Sequence, residues 1–115
     1  MLSDLIKQCG ISPSLRGYHY LKSAIKLGLA DRTIFISVTK TLYPAIADEF
    51  NVTPNQVERC IRHAIESGWL RGDINTHMKI FGYSISSDKG KPTNAEFIKT
   101  LVEYITTVEK ENRNR

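Results

Sequence analysis

The sequence predicts an all-α domain of about six helices arranged around a central helix-turn-helix. Most of the chain has apolar residues at helical spacing, and little of it has the character of a strand. Two stretches carry the capping-box pattern of a helix start, Thr53 to Gln56 and Thr93 to Glu96. Between the two central helices Asn51 occupies a turn position where the left-handed backbone usually needs Gly or Asn.

The central stretch runs from Pro44 to Gly72, and its two helices are predicted over about 44–71. Thr53 is expected to cap the second helix, with Pro54 at its first position. Steeply crossing helices would bury a shared apolar seam, which here contains Ile46, Ala47, Phe50, Val52, Val57 and Cys60. The seam, the turn residue and the cap together favour a helix-turn-helix.

The second helix of the pair has an apolar arc and an opposite arc of long polar side chains. The apolar arc contains Val57, Cys60, Ile61, Ala64 and Gly68. The polar arc contains Asn55, Arg59, Arg62 and Glu66, with Gln56, Glu58 and His63 on its flanks. Arg can bind guanine edges, Asn and Gln adenine edges, Glu the cytosine amine, and any cation a phosphate. We therefore expect these side chains to contact DNA, the alternative being a polar face that is only solvated.

The composition is that of a single soluble domain spanning residues 1–115. The chain has 115 residues, of which 41% are hydrophobic and 24% charged. Its formal charge is +4 and its pI is about 9.2, which fits a polyanionic partner without establishing one. Cys9 and Cys60 are too few for a disulfide scaffold, and they indicate reduced, buried thiols. No signal peptide or membrane-spanning run is present, so no membrane partner and a cytoplasmic location are expected.

The first part of the chain predicts three helices before the central pair, over 3–8, 15–30 and 33–42. Ser3 is expected to cap the first and Asp31 the third, although the β-branched residues of 33–42 also permit a strand. Lys22 and Lys26 lie one turn apart on the second helix. We interpret them as a solvated face, and the alternative is phosphate contact. Tyr43 precedes a proline and is expected to avoid the helical region, which predicts a kink or break before the central pair.

The last part of the chain predicts a short helix over 73–81 that ends at Gly82. Tyr83 and Ile85 are expected to follow in extended conformation and pack inward. The remaining segments are a polar loop over 86–92, a helix over about 94–109 and a frayed tail over 111–115.

No catalytic or metal site is predicted. His19, His63 and His77 fall on three different predicted helices, without paired cysteines or an HExxH arrangement. The sequence has no phosphate-binding glycine loop, no GxSxG elbow and no acid pair on one helix face. We therefore expect neither an enzyme nor a cofactor.

Four runs of the chain resemble one known family: TKTLYPAIADEFN, QVERCIRHAIESGWLRGDI, FGYSIS and KPTNAEFI. The family is that of the C-terminal effector domain of the stage-zero sporulation response regulator, and the likeness extends from Ile11 to about Tyr104. The resemblance implies a six-helix domain that binds a short TGTCGAA-like DNA element as a tandem pair. It also implies regulation of promoters through contact with the sigma subunit of RNA polymerase.

The resemblance assigns roles to two parts of the chain. The DNA-reading helix falls on Asn55 to Glu66, with Glu58, Arg59, Arg62 and His63 at the DNA. The polymerase-facing region falls around Gly72 to Ile85, where the candidate contacts are Gly72, Thr76, Met78, Phe81 and Ile85. The alternative for Met78 and Phe81 is that they belong to the core.

The chain departs from the family pattern at Asn55-Gln56, where members typically have Ser-Arg, and at Ser67-Gly68, which replaces Val-Ala. The segment from Asp73 to Lys79 also differs. These departures would fit a divergent paralogue with an altered site preference. Family members carry an N-terminal receiver domain that these 115 residues lack. We expect either an excised effector domain or a protein without phosphorylation control, monomeric in solution and paired on DNA.

Two further functional classes remain open beside a sequence-specific regulator. The helix pair could dock a protein partner, or the chain could bind nucleic acid without sequence preference. Binding measured at increasing salt concentration separates protein docking from DNA binding, because counterion release makes DNA affinity fall steeply with ionic strength. Competition by unrelated duplex identifies a nonspecific nucleic-acid binder.

Overall fold

The computed structural model describes residues 2–82 and 90–114. Within these ranges the chain forms helices and no strand, which confirms the predicted all-α class. The α-helices are α1 (Leu2–Gln8), α2 (Arg16–Ala30), α3 (Tyr43–Phe50), α4 (Pro54–Arg71), α5 (Ile74–Phe81) and α6 (Asn94–Arg113). None of these helices is long and apolar enough to cross a membrane.

The core forms where α2 packs against α4 and α6. Gly17 of α2 lies directly on α4, since a Cβ at this position would stand 2.2 Å from the Cys60 carbonyl oxygen and 2.6 Å from the Ala64 Cβ. Only a residue without a side chain allows two helices to approach so closely. The buried side chains around this crossing include Leu21, Ile25, Ile61, Ile98 and Leu101. The crossing fixes where α4 lies in the domain.

The segment between α2 and α3 differs from the single helix that was predicted. It forms a 3₁₀ helix over Arg32–Ile36 and a π-helix over Val38–Leu42, with extended backbone at Ser37 between them. The predicted cap is present, because the Asp31 Oδ1 accepts from the Thr33 backbone N–H at 2.9 Å. The Ser37 side chain starts the second piece by accepting from the backbone N–H of Lys40. Stiff β-branched residues disfavour a continuous α-helix here.

The predicted helix break at Tyr43 was wrong. Tyr43 has helical backbone angles, φ −62° and ψ −43°, and α3 begins at this residue. Its N–H donates to the Val38 carbonyl of the preceding π-helix. Pro44 then lies in the first turn of α3, where its missing N–H costs no helical hydrogen bond. Burial of the Tyr43 ring and a hydrogen bond to its hydroxyl outweigh the usual preference of a residue before proline.

The outer ends of the chain also differ from the predicted bounds. α1 begins at Leu2, so Ser3 lies inside the helix and is not its cap. α6 continues to Arg113, so the tail predicted to fray from residue 111 is helical up to that point. Gly10 ends the α1 region with a positive φ of 87°. The predicted inward packing of Tyr83 and Ile85 falls outside the described residues.

Ala47 provides a test of the α3–α4 packing because it is 3% exposed. Ala47→Leu should overpack the crossing and lower the free energy of unfolding by about 1–3 kcal/mol. Ala45→Leu is the matched control, since Ala45 is exposed on the same helix. Urea unfolding followed by far-UV circular dichroism compares the two. Equal stability of both variants would mean that Ala47 does not face α4.

Candidate nucleic-acid interface

The turn between α3 and α4 has the predicted chemistry. Asn51 adopts the left-handed conformation, with φ 55° and ψ 49°. The backbone N–H groups of Asn51 and Val52 both donate to the Ala47 carbonyl, which closes the end of α3. The chain therefore reverses direction within Asn51 to Thr53 and enters α4 at once.

The start of α4 is fixed by the predicted capping box. The Thr53 hydroxyl accepts from the Gln56 N–H at 3.1 Å, and the Gln56 side-chain oxygen accepts from the Thr53 N–H at 2.9 Å. Pro54 occupies the first turn. Gln56, one of the predicted DNA contacts, thus has a second role in fixing the first turn of α4.

The two predicted arcs of α4 are present, except that Cys60 is not buried and that Ile65, which the prediction left out of the apolar arc, is. Val57, Ile61, Ala64, Ile65 and Gly68 are buried, whereas Asn55, Gln56, Arg59, Arg62 and His63 are exposed. Glu58 and Glu66, the other predicted contacts, are half-buried at the edge of the exposed arc. Cys60 was predicted to be buried but is only half-buried, because it lies at the edge of the buried arc, next to the exposed Gln56 and His63.

A further correction concerns Phe50 of α3, which was predicted to lie in the apolar seam. It is 37% exposed, and its ring packs edge-on against Tyr20 of α2 at a centroid distance of 4.9 Å. Phe50 is the last residue of α3 before the turn, so its side chain points past the α3–α4 contact and toward α2. The seam itself is formed by Ile46, Ala47 and Val57.

The two arginines of the exposed arc have different surroundings. Arg62 pairs with Glu58 one turn earlier, its Nε lying 3.0 Å from the carboxylate, and this bond raises the pKa of Arg62. Arg59 has no hydrogen-bond or ion-pair partner among the described residues. The pair is exposed and adds little stability. The pair holds the Arg62 guanidinium beside Glu58, whereas no described residue holds the Arg59 guanidinium.

A second ion pair links α4 to the segment before α6. The Lys91 ammonium lies 2.5 Å from the Glu66 carboxylate, and this hydrogen bond lowers the pKa of Glu66. Both groups are exposed to solvent, so salt will screen the interaction. Sequence reasoning missed Lys91 because its partner lies 25 residues away.

Asn94 connects α6 to both helices of the α3–α4 pair. Its side-chain amide donates to the Tyr43 hydroxyl and to the Glu58 carbonyl oxygen, both at 3.1 Å. The three groups are partly buried, which makes such bonds costly to lose. Asn94 therefore fixes the exposed face of α4 relative to the start of α3. Its role was also missed, since the bonds span 51 and 36 residues.

The candidate polymerase contacts do not lie on one surface. Met78 is 62% exposed on α5, whereas Phe81 is 1% exposed, stacked on Phe97 and edge-on to Trp69. A direct contact through Phe81 is thus excluded by its burial, and the core alternative applies to it. Gly72 and Thr76 are half-buried. Ile85 lies outside the described residues.

Two exposed apolar residues beside Met78 were missed. Leu70 is 87% exposed and Ile74 is 72% exposed. Ile74 and Met78 lie one turn apart on α5, a spacing that could have identified this pair, whereas Leu70 lies in the last turn of α4. We call Leu70, Ile74 and Met78 the apolar row.

The histidines lie apart, on α2, α4 and α5. His77 is buried, stacks on Trp69 at 4.4 Å and has its Nε2 3.1 Å from the Cys9 carbonyl oxygen. The described residues contain no group of three or more His, Cys, Asp or Glu side chains that could hold a metal ion. Burial raises the pKa of the Cys9 thiol to about 12, which keeps it protonated and unreactive at neutral pH.

Asn94 gives a test of how α4 is held. Asn94→Ala should lower the free energy of unfolding by about 1–3 kcal/mol, because two partly buried groups lose their donor. Asn75→Ala, at an exposed position near the start of α5, is the control. Thermal unfolding by circular dichroism is the measurement. An Asn94 variant as stable as the control would show that these hydrogen bonds do not anchor the pair.

Residues 2–105 match the protein-family model described as "Sporulation initiation factor Spo0A C terminal". The match covers α1 to α5 and α6 as far as Ile105. It therefore includes every helix that contributes to the candidate interface.

Proposed function

Because the chain belongs to the C-terminal domain family of the sporulation initiation factor Spo0A, we propose that α4 is a recognition helix that reads DNA sequence in the major groove. The family implies a DNA-binding regulator of sporulation, and it is a family of transcription-factor domains and not of enzymes. The proposed location is the cytoplasm, where such a regulator meets its DNA.

One observation carries the proposal: α4 presents long polar side chains on a face that nothing covers among the described residues. Asn55, Arg59 and His63 are exposed in the N-terminal part of α4, whose start is fixed by the turn and the capping box. A recognition helix needs this combination, because its N-terminal side chains must reach base edges from a rigid backbone. The proposed DNA contacts are Asn55, Gln56, Glu58, Arg59, Arg62, His63 and Glu66.

Selection of bound duplexes from a random pool at physiological salt tests the function directly. A sequence-specific regulator should recover one motif and prefer it over unrelated duplex by ~10³-fold or more. Recovery without a motif would identify a nonspecific binder. No recovery at any salt would instead favour the second candidate function, a protein-docking module.

Arg59 is the residue on which base reading should depend most. It has no partner within residues 2–82 and 90–114, and it lies closer than Arg62 to the start of α4, the part of a recognition helix that enters the groove first. Arg59→Ala should cost about 1–3 kcal/mol on the selected motif and flatten the preference at one base position. Arg59→Lys should restore affinity only in part, since lysine lacks the two-pronged donor geometry.

Arg62 is the matched comparison on the same helix. Its guanidinium is already held by Glu58, so we propose that it contacts phosphate. Arg62→Ala should weaken binding to all duplexes alike and lower the salt slope by about one unit. Fluorescence anisotropy on matched and scrambled duplexes at several salt concentrations measures both variants. If Arg59→Ala leaves affinity and preference unchanged, α4 does not read DNA.

We also propose that the apolar row contacts the sigma subunit of RNA polymerase. Exposed apolar residues in a row are unusual on a soluble surface unless another protein covers them. Met78, which lies in the segment assigned by the family resemblance, is the central candidate, with Gly72 and Thr76 beside it in the chain. The proposed assembly on DNA is a tandem pair of domains, which should appear as cooperative binding to two adjacent sites but not to one.

Met78→Ala should reduce activated transcription while leaving duplex affinity intact, because it removes protein-contacting surface only. Ile36→Ala is the matched control, since Ile36 is an exposed apolar residue on the 3₁₀ helix, 85% exposed. In vitro transcription and duplex binding are measured side by side. Equal losses in both assays, or equal effects of both variants, would contradict the assignment.

A further inference from the structure

Helix α2 carries a cationic face that the proposed function does not use. Residues 5–30 contain no Asp or Glu, yet they contain Arg16, Lys22 and Lys26 within α2. At about 100° per residue these three cations fall within one arc of about 120°, opposite the buried side of the helix. Arg16 and Lys26 are exposed, and Lys22 is half-buried. We call these three residues the α2 cations.

The α2 cations border the turn between α3 and α4. Arg16 lines one surface groove together with Phe50 and Val52 of the turn region. Lys22 and Lys26 line an adjoining groove that also contains Glu49 and Phe50 from the end of α3. The face therefore continues from α2 to the point where the chain enters α4.

Helix α2 lies beside one flank of α4. Gly17, the neighbour of Arg16, packs on the Cys60 carbonyl. Cys60 belongs to the flank of α4 that also carries Gln56 and His63, since these residues fall within about 60° on the helix. Lys22 and Lys26 fall about 140° and 180° from Gly17 around α2, so they face away from α4 and approach the helix pair at the end of α3. A helix in the major groove has one phosphate strand on each side, and α2 stands on the side of the Gln56 and His63 flank.

The α2 cations are not neutralised within the described part of the chain. The two ion pairs found there, Arg62 with Glu58 and Lys91 with Glu66, involve none of the α2 cations. The one carboxylate lining the α2 grooves is Glu49, which accepts a 2.6 Å hydrogen bond from the Ser23 hydroxyl. The cations are consequently available to an external anion.

We propose that the α2 cations bind the DNA backbone phosphates of the strand next to the Gln56 and His63 flank of α4. The inference rests on the proposed function, because it requires α4 to lie in the groove. Backbone phosphate is favoured over an acidic protein surface because the row is contiguous with the turn that leads into the recognition helix. The α2 cations would supply affinity without base preference.

The test uses the double variant Lys22→Gln/Lys26→Gln, with Lys99→Gln/Lys110→Gln on α6 as the charge-matched control. Each lost phosphate contact should lower the slope of log affinity against log salt by about 0.9, hence by about 1.8 for the pair. Between 50 and 200 mM salt the parent should then lose about tenfold more affinity than the double variant. The control should keep the parental slope.

The contacted phosphate can be located by scanning duplexes that carry one neutral methylphosphonate at a time. At the correct position the parent should lose affinity and the double variant should not. Circular dichroism checks that the variant is folded. If the double variant is less stable than the parent, Lys26→Gln alone carries the same test with half the slope change, since Lys26 is exposed.

Three outcomes separate this inference from the proposed function. An equal loss on matched and scrambled duplexes with a smaller slope supports the inference. An unchanged slope and affinity overturns it, and base reading by α4 stays intact if Arg59→Ala still flattens the preference at one base position. The α2 face would then be free for an acidic protein. A loss of base preference in the double variant also overturns it, because backbone contacts carry no sequence information.

Discussion

The position of α4 depends on the contact between Gly17 and the Cys60 carbonyl. A methyl group at Gly17 would lie 2.2 Å from that oxygen, so any side chain would force the two helices apart. Gly68, two turns further along α4, has a similar constraint, because a Cβ there would stand 2.7 Å from the Cys9 carbonyl oxygen. Two glycines thus seat α4 against α2 and the end of α1. The polar arc is oriented by this backbone packing, to which its own side chains contribute nothing.

Local signals in the sequence were sufficient for the helix ends. Asn51 and the two capping boxes at Thr53 and Thr93 were predicted correctly, because each depends on residues no more than four positions apart. The region from Arg32 to Tyr43 was not predicted correctly. There, stiff side chains, a break at Ser37 and the burial of Tyr43 compete within a few residues. Nothing local decides which of these wins, since the partner of the Tyr43 hydroxyl lies on α6.

The candidate interface was predictable to the same extent. Helical periodicity separated most exposed and buried residues of α4, and it failed for Cys60 and Ile65, which lie at the two edges of the buried arc. Periodicity could not find Asn94 or Lys91, whose partners are distant in sequence. Periodicity also could not decide whether Phe81 is core or surface, because α5 is short. The aromatic rings around Phe81 belong to Trp69 of α4, His77 of α5 and Phe97 of α6, so two of the three come from other helices.

The capping box at the start of α4 changes the hydrogen-bonding character of Gln56. Its side-chain oxygen accepts from the backbone and hydroxyl of Thr53, so only the amide N–H groups are left to face outward. A free glutamine recognises adenine by accepting and donating at once. With its acceptor engaged, Gln56 is a neutral, donor-only group. Such a group complements the acceptor edge of guanine or a phosphate oxygen, and reading adenine would require the Gln56 oxygen to give up its bonds to Thr53.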